Sequence, residues 1–276
     1  MRPLIPAADL VELVDRGEVS VLDVRYRMGG PPGWEEYVAG HVPGAAYVDL
    51  DRDLASPPGP AGRHPLPERE AFGAAMRAAG VRGDRTVVVY DDWSGHAAAR
   101  AWWLLRHHGH PAVHVLDGGW PAWQEAGAAV ATGSDPVEPG DWEPGPGTSP
   151  VVTAEQVPDV AVLVDARAPE RYRGEVEPID PVAGHVPGAI NVPTSTNLAA
   201  DGRFRSPDQL RALYAAAGVP TDGSAEVAVY CGSGVTAAHD VLALETIGVR
   251  AALYPGSWSE WVADPQKSAD RPVERS

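Results

Sequence analysis

The chain has 276 residues, a length that suits two domains of roughly 150 residues better than one core. Hydrophobic residues make up 44%, which excludes a disordered chain, and a net charge of −16 disfavours a polyanionic partner such as nucleic acid. A single cysteine, Cys231, excludes an internal disulfide or a CxxC metal site.

The first residues meet Asp9 and Glu12 before any apolar run reaches signal-peptide length. No uncharged apolar stretch approaches the roughly 18 residues of a membrane span, so a cytoplasmic protein without membrane contact is expected. In chain order, VSVLDV (19–24), TVVVY (86–90) and AVHVL (112–116) are predicted strands. Helices are expected over EREAFGAAMRAAG (68–80) and AAARAWWLLRHHG (97–109). The second half repeats the alternation, with strands VAVLVDA (160–166), AEVAVY (225–230) and RAALY (250–254) and helices PDQLRALYAAAG (207–218) and TAAHDVLALETIG (236–248). Gly80, Gly109, Gly218 and Gly248 stand where a helix C-terminal glycine belongs. Near-continuous apolar strands alternating with helices predict an α/β fold with a mostly parallel sheet, built twice.

Four features recur in the same order. VSVLDVR, ending at Arg25, parallels VAVLVDAR, ending at Arg167; HVPGA occurs at 41–45 and at 185–189. TVVVYDDWSGHAAAR (86–100) parallels EVAVYCGSGVTAAHD (226–240), and GGWPAW (118–123) parallels GSWSEW (256–261). Fixed order at a nearly constant offset marks a duplicated unit. Residues 131–150 are dense in Pro and Gly and predict an exposed linker. The expected division is therefore a first domain at 1–130, a linker at 131–150 and a second domain at 151–276, with a polar tail after about residue 264.

Ligands of such sheets bind beyond the carboxyl ends of strands, where loops feed helices. Cys231 follows the strand AEVAVY and opens the connector CGSGVT before the helix beginning near Thr236. The glycines let the backbone curl so that several N–H groups point inward beside a helix N-terminus, a setting that favours thiolate. A lone cysteine is more often a small buried apolar residue; its place in a glycine loop selects the nucleophile instead. Gly232, Gly234, Val235 and Thr236 are the loop residues expected to bind the substrate. The cluster HHGH (107–110) ends a helix, where cations favour the dipole, and it lacks the convergent acids or cysteines of a metal site. His41 and His185 in the HVPGA copies are expected to orient a turn.

The doubled unit, the HVPGA segments and the CGSGVTA loop resemble the two-domain sulfurtransferases of the rhodanese superfamily, from about Ile5 to Trp261. The resemblance implies two tandem rhodanese-like domains, each a mostly parallel sheet flanked by helices, with only the second catalytic. Asp91, aligned with Cys231 in the first copy, cannot carry a sulfane sulfur. The neutral Gly-Ser-Gly-Val loop is closer to the 3-mercaptopyruvate pattern than to the thiosulfate pattern, which places basic residues directly after the cysteine. The resemblance also implies a relay of Ser233 with His64 and Asp51, the register between Asp49 and Asp51 being open, and a substrate arginine at Arg171. A second arginine usual farther along that loop has no counterpart in EVEPIDPVAG.

The expected chemistry is transfer of a sulfane sulfur from mercaptopyruvate or thiosulfate, a small anionic donor, through a Cys231 persulfide to a thiol, thioredoxin-like protein or cyanide. No cofactor or metal is called for. Alternatives are a thiosulfate-preferring enzyme and a persulfide carrier that does not turn over. A cysteine phosphatase would need an arginine six residues after the cysteine, where Ala237 stands.

Overall fold

The computed structural model describes residues 2–134, 136–264 and 270–276. It divides into two compact units: residues 1–56, 67–149 and 201–203, and residues 57–66, 150–200 and 204–276.

Unit 1 runs β1 (Leu4–Ile5), α1 (Ala7–Arg16), β2 (Val19–Asp23), α2 (Gly33–Ala39), β3 (Ala46–Tyr47), α3 (Leu50–Asp53), α4 (Arg69–Ala78), β4 (Thr86–Tyr90), α5 (His96–His107), β5 (Val113–Leu116) and α6 (Gly119–Glu125). Its five strands are all parallel, in the order β1-β5-β4-β2-β3. Val87 to Tyr90 are fully buried, which is why this strand reads as an unbroken apolar run. The helix α5 is equally buried from Ala97 to Leu105, including Trp102 and Trp103. Among the elements that the sequence pattern did not predict is α1, whose Leu10 is buried and whose C-terminus is closed by Gly17 at φ 66.

Unit 2 runs β6 (Val162–Asp165), α7 (Pro169–Tyr172), β7 (Ile190–Asn191), α8 (Pro207–Ala216), β8 (Val227–Tyr230), α9 (Ala237–Thr246), β9 (Ala252–Leu253) and α10 (Ser257–Trp261). The strand order is β7-β6-β8-β9, again all parallel. Val151 bridges Leu253 in parallel, standing where β1 stands in unit 1. Ser206 caps α8 in a reciprocal capping box with Gln209.

The repeated motifs have repeated physical work. Arg25 closes β2 by a fork onto Asp23 and a 2.6 Å bond to the Gly40 carbonyl; Arg167 does the same with Asp165 and, at 2.7 Å, Gly184. Tyr90 donates to Asp23 at 2.6 Å and accepts from the Val42 amide, and Tyr230 accepts from the Val186 amide at 3.1 Å. The guanidinium of Arg25 lies over Trp120 and that of Arg167 over Trp258. Strand end, HVPGA segment, strand tyrosine and paired tryptophan are thus one buried network in each unit. Removing one charge from it would strand the other in the core, at roughly 3–5 kcal/mol.

HVPGA itself is a tight turn that delivers the two-residue strands β3 and β7. Ala45 N–H bonds the Val42 carbonyl at 2.9 Å and Ala189 N–H bonds Val186 at 3.1 Å. Proline second and glycine third is the type II pattern, and Gly44 and Gly188 take the φ values of 77° and 76° that it demands. His41 and His185 stack on Tyr37 and Tyr172 and bond those residues' carbonyls at 2.8 and 2.7 Å, so both orient the turn.

Three segments differ from expectation. The described part of 131–150 is a strap on unit 1, not an exposed connector: Trp142 is buried against Phe72, and the Gly140 and Gly145 amides bond Arg77 and His108. The polar tail also docks, for residues 270–276: Glu274 bridges His185, and Arg271 is buried under the Glu260 carbonyl. Residues 265–269 of that tail lie outside the described residues. Residues 57–66 group with unit 2 although they precede the end of the first copy. The Arg63 amide bonds Ser259 Oγ at 3.1 Å, and Gly62 lies directly against Gly256.

Candidate active site

Cys231 is the first residue past β8, and its side chain is almost wholly enclosed, at 1% exposure. Its own amide donates to Ser257 Oγ at 3.1 Å, and its carbonyl accepts from Trp258 N–H at 3.0 Å. The Gly232 carbonyl accepts from Ser259 N–H at 2.9 Å. The start of α10 therefore fastens both ends of the nucleophile's backbone. Ser257 holds a left-handed φ of 53° while doing so, and sequence reading gave no hint of it.

The loop turns back on the sulfur. Gly234 N–H donates to Cys231 Sγ at 3.2 Å, with Gly234 at φ 78°. A Cβ at this position would lie 2.1 Å from the Pro255 carbonyl, so only glycine lets the amide reach the thiol. Val235 is buried and Thr236 leads directly into α9, whose first amides face the loop end.

Ser233 Oγ lies 2.8 Å from His64 Nδ1, with Ser233 only 8% exposed. Both residues belong to unit 2, His64 coming from the 57–66 segment. Asp51 lies on α3 of unit 1 and is exposed. Asp49 is occupied otherwise, accepting from the Arg52 amide as the cap of α3.

Above Gly232 lie two guanidinium groups. A Cβ built there would meet Arg63 Nη2 at 3.0 Å and Arg171 Nη1 at 3.4 Å. Arg171, on α7, is the arginine that the resemblance singled out; Arg63, beside it, is not among the expected site residues. Four acid–arginine contacts hold the pair. Arg171 forks onto Glu177 at 2.7 and 3.2 Å and reaches Asp180 at 3.4 Å, Arg63 pairs with Asp180, and Arg167 reaches Glu177 at 3.4 Å. Burial would raise the Glu177 carboxyl, but hydrogen bonds from Arg171 and from the Asp180 and Ile179 amides bring it below the usual range. For Asp180 burial prevails over Arg63 and Arg171, and the neighbouring Glu177 charge adds to the rise.

The matching loop of unit 1 is filled by its own side chain. Asp91 is fully buried, and its carboxylate accepts from the amides of Trp93 (2.8 Å), Gly95 (2.8 Å) and Ala98 (2.9 Å). Burial pushes this carboxyl up to about 6 against the pull of those three amides. Among the described residues, no group of three metal-ligating side chains is arranged to hold an ion, and no helix is long and apolar enough to cross a membrane. Of the HHGH cluster, His108 and His110 each bond a backbone carbonyl, and His107 stacks on Trp103.

A profile of the rhodanese-like domain matches residues 6–126 and again 152–264. A Mycobacterium tuberculosis protein named "Putative thiosulfate sulfurtransferase SseB" is 46% identical over 97% of this chain and 96% of its own length. A Pseudomonas aeruginosa protein named "Probable 3-mercaptopyruvate sulfurtransferase" is 44% identical over 96% of each chain. The crystal structure of SseA from Escherichia coli, described as a 3-mercaptopyruvate sulfotransferase, superposes with a TM-score of 0.82 at 34% identity, covering 94% of this chain and 100% of that one. The chain belongs to the rhodanese family of sulfurtransferases, with two tandem rhodanese domains. Its relatives carry the names of both donors, so the donor has to be argued from the site.

Proposed function

We propose that this sulfurtransferase takes sulfur from 3-mercaptopyruvate in preference to thiosulfate, through a persulfide on Cys231. The thiolate attacks the donor sulfur, the carbon–sulfur bond breaks, and its electron pair leaves as the enolate of pyruvate. The enolate must then gain a proton at carbon, and Ser233 with His64 supplies it. A thiol or cyanide next attacks the outer sulfur, and the cysteine leaves as thiolate. Gly234 N–H, together with the loop around Gly232, Val235 and Thr236, stabilises the charge on sulfur. Arg171 and Arg63 take the donor's carboxylate, for which their planar forks are suited.

The observation that carries the preference is the 2.8 Å approach of Ser233 Oγ to His64. Cleavage of thiosulfate releases sulfite and needs no proton on carbon, so a serine–histidine pair beside the nucleophile favours the keto acid. A reduced thiol nucleophile suits the cytoplasm, where thioredoxin-like thiols can serve as acceptors.

Steady-state kinetics with each donor and cyanide as acceptor tests this reading. A higher kcat/KM for mercaptopyruvate, lost in His64→Ala while thiosulfate turnover persists, is expected. Equal loss with both donors would show that His64 serves the loop's shape and not proton delivery.

A further inference from the structure

The two arginines above Gly232 are already occupied. Asp180 places one carboxylate oxygen on Arg63 and the other toward Arg171 at 3.4 Å, and its side chain is only 5% exposed. That is the arrangement an incoming carboxylate would adopt between the same two groups. Glu177 is held differently. It accepts from Arg171 Nε and Nη2 and from the amides of Ile179 and Asp180, and it also pairs with Arg167, so it is built into the scaffold that aims Arg171. Among the described residues, Asp180 has no such amide support for its carboxylate, which pairs with the two arginines. With both acids in place the four side chains sum to zero charge; with Asp180 withdrawn, the cluster carries one positive charge and matches a monocarboxylate.

We propose that Asp180 is an internal stand-in for the donor's carboxylate, which a donor must displace from Arg63 and Arg171 before it can reach Cys231. The proposal rests on the reading that these arginines receive the donor. It makes Asp180 a residue that sets affinity, because a site competent for only a fraction of the time binds weaker by that fraction. It also sharpens selection: an anion without a carboxylate-like pair of oxygens does not match both guanidinium forks at once, and so competes poorly against Asp180.

The test uses the full chain carrying Cys231→Ser, so that binding is read without turnover, with pyruvate as the probe in calorimetric titration. Asp180→Asn should bind pyruvate about tenfold tighter than its parent if the open state is populated to about one part in ten. Asp180→Glu keeps a competing carboxylate and should stay near the parental affinity. Pyruvate binding that is equal or weaker in Asp180→Asn would overturn the proposal and make Asp180 a brace for Arg63. In the chain with Cys231 intact, Asp180→Asn should lower KM for mercaptopyruvate, whereas a fall in kcat with unchanged KM would again mean a brace. Failure of the sulfur-transfer reading would be seen separately, as absence of a Cys231-dependent product with either donor.

Discussion

Asp91 and Cys231 occupy the same point in two copies of one fold, each directly after the central strand and before the helix it feeds. In unit 1 the amides of Trp93, Gly95 and Ala98 close on the Asp91 carboxylate, an acceptor supplied by the chain itself. In unit 2 the corresponding loop closes on sulfur, with Gly234 N–H directed at Cys231. The turn survives even where its glycine does not: Ser94, aligned with Gly234, still holds φ 59°. The flanks diverge in charge as well. Tyr37 and Tyr172 stack on equivalent histidines, yet the residue before the first is Glu36 and before the second Arg171. One loop is therefore satisfied by its own carboxylate, and the other is the loop proposed to receive an external anion, although the backbone path is shared.

Four experiments would break or sharpen this contrast. The largest effect is expected for Cys231→Ser, which should abolish transfer from every donor. Adding Asp91→Cys to that variant should not restore it, since unit 1 lacks the arginine of α7. Mass spectrometry after donor exposure should find a one-sulfur gain only in chains that keep Cys231; a gain at position 91 would mean that the loop alone suffices.

Next, Gly234→Ala drives a Cβ into the Pro255 carbonyl and should cost more than about 3 kcal/mol in denaturant unfolding, with loss of activity. Ser94→Gly at the matching position should change stability by no more than about 1 kcal/mol, because relief of the left-handed serine is offset by the freedom glycine gains in the unfolded chain.

His64→Ala should lower kcat for mercaptopyruvate by about a hundredfold, within the range of general acid catalysis, and leave thiosulfate turnover within a few-fold of the parent.

The smallest effect concerns protons. The Asp91 carboxyl titrates near 6 in the folded chain and near 3.8 in the unfolded one, so the fold takes up a proton as pH falls through 6. Unit 1 should then gain about 1 kcal/mol between pH 7.5 and 5.5, a gain absent in Asp91→Asn. Thermal unfolding of the two chains across that window reads the difference, and parallel pH profiles would show that Asp91 does not titrate there.

Much of this was legible in the sequence because duplication prints each structural need twice. The acid–arginine strand end, HVPGA, the strand tyrosine and the tryptophan recur because each is a member of one buried network, and a network tolerates little drift. Cys231 stands out for the same reason, against the Asp91 of the first copy, whereas Ser233 and Arg171 were singled out by the family resemblance. The strands β3 and β7 escaped notice because two residues carry no periodicity. The helix α1 had a readable signal in Leu10, Leu13 and Val14, with Gly17 behind them. Arg63 had none. It lies in a Pro- and Gly-rich stretch of the first copy, and long-range contacts such as its amide's bond to Ser259, 196 residues away, bring it above Gly232. The docking of the strap around Trp142 was not legible because its Pro and Gly content hides one large aromatic anchor.

The assignment of residues 57–66 to unit 2 has a consequence for how the chain can be divided. A fragment beginning at residue 150 would keep the nucleophile, its glycine loop and Arg171, and would still lose both Arg63 and His64. The duplicated halves are therefore no longer interchangeable or separable: the second has come to depend on ten residues encoded within the first. A break placed in the seemingly natural stretch between the repeats would separate Cys231 from Arg63 and His64.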